Sequence, residues 1–249
     1  ADFNSFDPSD PRCYRPPGYI WNIYHAPALW QIPKEADLAD TAVWPEWFTS
    51  ALENTMELAG NVSVHAEVFS PFTHFLELFG YERALMALIE NPEKCHKILE
   101  KLTAHIRAHQ KLYAKLKPDA ILVSSAFAGA GFISRKMYED FVLPYERRIH
   151  DFTHQLGFFT YVHTCGAIGD RLDLMAETGT DGIDTLDPPP LGTVELKNAK
   201  EQFGDRLFFK GNLDGVNDLL NADDPQFKQA VLNRLEWAMP GGGYILSTA

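Results

Sequence analysis

The chain has 249 residues, 45% of them apolar and 22% charged, enough to bury a sizeable core as one large α/β domain or two small ones. A net charge of −12 removes the basic surface that nucleic acid or an anionic membrane would require. No apolar run approaches the ~18–20 residues that span a bilayer, no signal peptide opens the chain, and the cysteines Cys13, Cys95 and Cys165 are odd in number and far apart, so the expected compartment is a reducing cytoplasm.

Residues 1–61 form a first segment unlike the rest. "PPGYIWNIYHAPALW" is rich in aromatics and proline, and Trp21, Trp30, Trp44 and Trp47 fall close together. The segment reads as a long connection with a helix at 45–59. It serves either as a packed cap over one end of the fold or as a lid over a flat hydrophobic ligand.

From residue 62 onward short apolar runs alternate with helical stretches. Strands are predicted at "VSVHAEVF" (62–69), "AILVSS" (120–125), "GFFTYVH" (157–163), "DGIDTL" (181–186), "RLFFKGN" (206–212) and "GYILSTA" (243–249), all rich in Val, Ile, Phe and Tyr. The clearest helix follows Asn91-Pro92, a cap residue with proline at the first helical position. Cys95, Ile98, Leu99, Leu102 and Ile106 then recur at three- and four-residue steps, and Lys117-Pro118 ends the run. One helix is predicted from Ser134 to Leu156, and others at Gly166–Gly179, Thr193–Phe203 and Pro225–Met239. Strands joined by helical crossovers make a parallel α/β sheet. Six strands suit a doubly wound sheet, or an eight-stranded barrel short of two. The abrupt start in a loop and the end inside an apolar strand suggest an internal portion of a longer protein.

The chemistry concentrates at strand ends. In "YVHTCG" Phe159, Tyr161, His163 and Cys165 share one face if the extended geometry continues. Imidazole nitrogen and thiolate sulfur are preferred zinc donors, and Gly166 permits a tight exit. "LFFKGNLDG" carries Asn212 and Asp214 past an apolar run, "DGIDTLDPPP" carries Asp184 and Asp187, and "VSVHAEVF" puts His65 and Glu67 on one face. Each of these also reads as a turn or loop cap, and His65 as an interior histidine. His74, His96, His105, His109, His150 and His154 lie on helices or their edges and read as surface or packing, and Cys95 as core. There is no G-x-S-x-G, no G-x-x-x-x-G-K-[ST] and no G-x-G-x-x-G opening a helix.

Taken in order, "FSPFTHFLELFG", "SRKMYEDFVLPYERRI", "YVHTCG", "FFKGNLD" and "GGGYILS" resemble the uroporphyrinogen decarboxylase superfamily, and within it the zinc- and corrinoid-dependent methyltransferases such as the methylcobamide:coenzyme M enzymes. The resemblance covers roughly residues 62–249. It implies a (β/α)8 TIM barrel with these six strands as the third to eighth, the first two lying upstream. It makes His163 and Cys165 zinc ligands. It places a further ligand, a cysteine or less readily a histidine, within about three residues after Ala249, since a catalytic zinc site needs three protein ligands. It also implies methylcobalamin on a corrinoid protein partner and a small methyl acceptor or donor. Glu67, Asn212 and Asp214 are then the catalytic candidates.

Two features bear on the branch. Decarboxylases carry a tyrosine six residues after the proline of the "PFT" motif, where this chain has Glu77. Many relatives have an aspartate where this chain has Ser124-Ser125. The alternatives are a cofactorless uroporphyrinogen decarboxylase of porphyrin and heme biosynthesis, which needs cations for many carboxylates, and a non-catalytic barrel that only binds.

Overall fold

The computed structural model describes residues 1–14 and 31–249. The aromatic, proline-rich stretch over residues 16–30 lies outside the described residues. The six expected strands are present: β1 (His65–Phe69), β2 (Ala120–Ser124), β3 (Phe159–His163), β4 (Gly182–Asp184), β5 (Phe208–Leu213) and β6 (Tyr244–Thr248). They follow one another across one sheet in chain order, and the β3–β4, β4–β5 and β5–β6 pairs are parallel. Chain-order parallel pairing demands a crossover between each pair of strands, and helices supply it.

The residues group into two compact units. The first comprises residues 1–122 and 151–159. Its long helix Pro92–Ala114 starts as expected, with the Asn91 side chain accepting from the Lys94 N–H at 3.2 Å. The stripe Cys95, Ile98, Leu99, Leu102 and Ile106 is buried to 1% exposure or less. Helix Pro71–Phe79 is capped by Ser70, has proline at its first turn and is buried throughout. The N-terminal segment packs on these helices. Phe3 and Phe6 meet Phe79 edge-on at 5.2 and 4.9 Å, and Tyr14 meets His105 at 5.2 Å. Trp44 stands against His109 at 4.5 Å. The helix expected at 45–59 appears as a 3-10 turn Glu46–Thr49 running into Ser50–Leu58.

The second unit comprises residues 123–150 and 160–249. Here the single helix predicted from Ser134 to Leu156 is corrected to two, Arg135–Phe141 and Leu143–Gln155. Pro144 explains the break, because it has no N–H for the Asp140 carbonyl and its ring crowds that carbonyl. The helix expected over Gly166–Gly179 is shorter, a 3-10 turn Gly169–Arg171 followed by Leu172–Glu177. Helix Asp224–Ala238 carries a full capping box, Asp223 and Gln226 each bonding the other's backbone N–H.

The core under the strand ends is aromatic. Tyr161 of β3 and Phe208 of β5 meet at 5.5 Å across β4. Gly182 lies between them in the ladder, and a Cβ there would sit 2.4 Å from the Phe208 ring. A side chain at position 182 would push these rings apart.

Candidate functional site

Strand β3 sets the orientation of the site. Thr160 is fully buried and its hydroxyl bonds His150 Nδ1 on the adjoining helix at 2.8 Å. Even-numbered residues of β3 therefore face the helices, and Tyr161 and His163 face the other side. In the parallel ladder His163 pairs with Asp184, and Asp184 with Lys210. These three side chains form one polar layer directly past the Tyr161–Phe208 layer. Lys210 Nζ donates to Asp184 Oδ2 at 2.7 Å, and Asp184 Oδ1 is buried with no partner among the described residues.

Past His163 the chain is held through its backbone. The Ser125 N–H donates to the His163 carbonyl at 2.7 Å, and the Thr164 N–H to the Asp184 carbonyl at 2.9 Å. Gly166 takes φ +80°, a left-handed conformation that suits glycine, and its N–H donates to Asp187 Oδ2. The Cys165 thiol is exposed and donates to the Ala126 carbonyl at 3.4 Å. Partial burial and then the neighbouring Asp187 carboxylate push this thiol up.

The other candidates are placed differently. Asn212 is 2% exposed, and its Oδ1 has no partner among the described residues. Asp214 is engaged with its own turn. Its carboxylate accepts from the N–H groups of Val216 and Asn217 at 2.8 and 2.9 Å and from Asn217 Nδ2 at 2.6 Å. Those donors, led by the Asn217 N–H, hold its pKa below the usual carboxylate value. This is the turn-capping geometry that the sequence left open beside the catalytic one. Glu67 lies on β1 in the first unit, with His65, on the exposed face of that strand. His65 is thus exposed instead of interior, and it bonds Ser63 Oγ at 2.8 Å.

Asp184 and Asp187 stood out in the sequence as polar residues, without a partner to give them a role. Lys210 passed unnoticed, although a lysine inside "FFKGN" is a lone cation in an apolar strand. Ser125 and Glu146 were also missed as a pair, since no local spacing links positions 21 residues apart.

His163 and Cys165 are donors of the kind zinc prefers. Among the described residues, however, no group of three His, Cys, Asp or Glu side chains converges to hold a metal. The donor chemistry thus fits zinc in part: two ligand types stand at one strand end, without a third from the described residues.

The family model for uroporphyrinogen decarboxylase (URO-D) matches residues 33–249. The chain belongs to the URO-D family. Its relatives divide between two activities. A methylated-thiol–coenzyme M methyltransferase of Methanosarcina mazei is 25% identical over 72% of this chain and 46% of its own length. A uroporphyrinogen decarboxylase of Alkalilimnicola ehrlichii is 28% identical over 77% of this chain and 52% of its own. The methylcobamide:CoM methyltransferase MtbA of Methanosarcina acetivorans is 28% identical over 57% and 41%. The chain spans about half the length of these curated relatives. Among solved structures a methyltransferase from Methanosarcina mazei superposes with a TM-score of 0.68 at 19% identity, covering 82% of this chain and 60% of that one. This likeness fixes the architecture as the TIM-barrel type of the URO-D family, as the resemblance in sequence implied. Membership makes this an enzyme-type barrel from a superfamily of methyltransferases and decarboxylases. No helix among the described residues is long and apolar enough to cross a membrane.

Proposed function

We propose that this barrel carries a methyl-transfer site centred on His163 and Cys165, working with a corrinoid protein as the methyl-carrying partner and a small thiol or similar molecule at the other end of the transfer. The observation that carries the reading is the placement of the two residues. One stands at the end of β3 and the other two residues on, in a loop whose backbone is held from three directions. That leaves both side chains available for a ligand. Zinc held by His163, Cys165 and a third donor outside the described residues would supply Lewis-acid chemistry, generating a nucleophilic thiolate at neutral pH. The chain's own residues do the remaining work. Lys210 and Asp184 present a donor and an acceptor beside His163, suited to orienting a small polar substrate. Tyr161 and Phe208 close the layer below and keep water from that side. Asn212, in the same unit, offers its buried Oδ1.

The decarboxylase reading has support of its own, since decarboxylases match at similar identity. A visible-spectrum assay separates the two. Full-length protein given a methylated corrinoid and a thiol acceptor is expected to demethylate the cobalt and to leave uroporphyrinogen intact. Carbon dioxide release from uroporphyrinogen, with no change at the corrinoid, would reverse the assignment.

A further inference from the structure

Behind the β3 end lies a carboxyl that touches none of the residues assigned above. Glu146, on helix Leu143–Gln155, is 1% exposed. Ser125 Oγ donates to its Oε1, and the Tyr138 hydroxyl donates to its Oε2 at 3.3 Å. Burying a carboxyl this completely is costly unless its oxygens are satisfied, and here both oxygens have a partner. Burial pushes the Glu146 carboxyl up to about 7 despite those bonds.

Ser125 is also the residue whose backbone N–H holds the His163 carbonyl. It opens the loop that follows β2, and residues 125–130 of that loop lie along the site's own loop. The Ala126 carbonyl accepts from the Cys165 thiol, and the Ala130 N–H donates to the Ala167 carbonyl at 2.7 Å. A Cβ on Gly129 would stand 3.1 Å from the Cys165 carbonyl, so the two backbones are close-packed there. The far end of the loop is tied down by the buried Arg171 guanidinium, which donates to the Ala128 and Ile133 carbonyls at 2.8 and 3.1 Å. At the near end the Ser125–Glu146 bond anchors the loop to a helix.

We propose that Ser125 and Glu146 are a buried positioning pair, which fixes the loop after β2 and through it the placement of His163 and Cys165. Both residues are buried, Ser125 at 0% and Glu146 at 1% exposure. The importance of Cys165 rests on the methyl-transfer reading; the mechanical link from Glu146 to Cys165 does not.

The test is the alkylation rate of Cys165 by iodoacetamide in the full-length protein, resolved by peptide mass spectrometry, with buried Cys95 as internal reference. Ser125→Ala removes the anchor and should raise the Cys165 rate about tenfold, the effect of one buried hydrogen bond. Ser125→Thr keeps the hydroxyl and should restore the wild-type rate, and Glu146→Gln keeps an acceptor and should stay within about twofold. Glu146→Ala should match or exceed Ser125→Ala. A wild-type Cys165 rate in Ser125→Ala, with the circular dichroism unchanged, would overturn the pair. So would a raised rate in Ser125→Thr equal to that of Ser125→Ala. If labelling responds as stated while no methyl transfer occurs, the pair stands and the methyl-transfer reading falls. If methyl transfer occurs and labelling does not respond, the reverse holds.

Discussion

The ends of β3 and β5 are alike in sequence and differ in how their polar side chains are used. Each is an apolar strand running into a short polar stretch, "HTCG" in one case and "NLDG" in the other. After β3 the loop is held by backbone groups and by residues from elsewhere: Ser125, Asp187 and Ala130. After β5 the loop has the Arg234 guanidinium on Asp218 at 2.7 Å, but its main device is its own aspartate, which spends both carboxylate oxygens on Val216 and Asn217. A side chain that caps its own turn is committed to structure. A side chain in a loop braced from outside remains available for chemistry. On the methyl-transfer reading, the contrast ranks His163 and Cys165 above Asp214 as candidate reacting groups.

The largest effect that separates the two ends is in turnover. His163→Ala should lower methyl transfer at least a hundredfold, whereas Asp214→Asn should change it by less than about fivefold, since reacting groups typically account for 10²-fold or more and positioned caps do not. Steady-state rates on the same corrinoid substrate check both variants. An equal loss in the two would erase the distinction.

A smaller effect is in stability, and its sign differs between the two ends. Glu146, behind the β3 end, is held above its ordinary value. The unfolded chain therefore gives up that proton first, so the contribution of Glu146 is present below about pH 4.5 and is lost as the pH rises to about 7. Asp214 is held below its ordinary value. Its contribution is present above its unfolded pKa and is lost as the pH falls through the folded one. Urea unfolding across pH should show Glu146→Gln removing a loss on the order of 1–3 kcal/mol on the neutral side. Asp214→Asn should flatten the acid side and cost about 1 kcal/mol at neutral pH, the usual size of a lost cap. Identical pH profiles in the two variants would contradict the assignment of the two carboxyls.

Most of the fold was legible because it is written in local patterns. The stripe from Cys95 to Ile106 reads at helical spacing, Asn91-Pro92 reads as a helix start, and the six apolar runs read as strands without reference to anything distant. The exception is instructive. The break at Val142 was hidden inside an otherwise continuous helical pattern, where Pro144 was the only signal and sat too near the start of a second helix to read as an end. The site was legible in part. His163 and Cys165 stood out because strand alternation puts them on one face. The Asp184–Lys210 and Ser125–Glu146 pairs were not legible, because each joins segments whose proximity is created by the sheet and its crossovers. Asp214 carried an ambiguity that spacing cannot resolve, since Asp before Gly is equally a turn former and a catalytic group at a strand end.

The zinc content of the full-length protein bears hardest on the assignment of His163 and Cys165. Elemental analysis should find about one zinc per chain, as a mononuclear site requires. Cys165→Ala should lose most of that metal, and Cys95→Ala, whose side chain is buried in the helical stripe, should keep it. Equal zinc in the wild type and in Cys165→Ala would contradict the assignment.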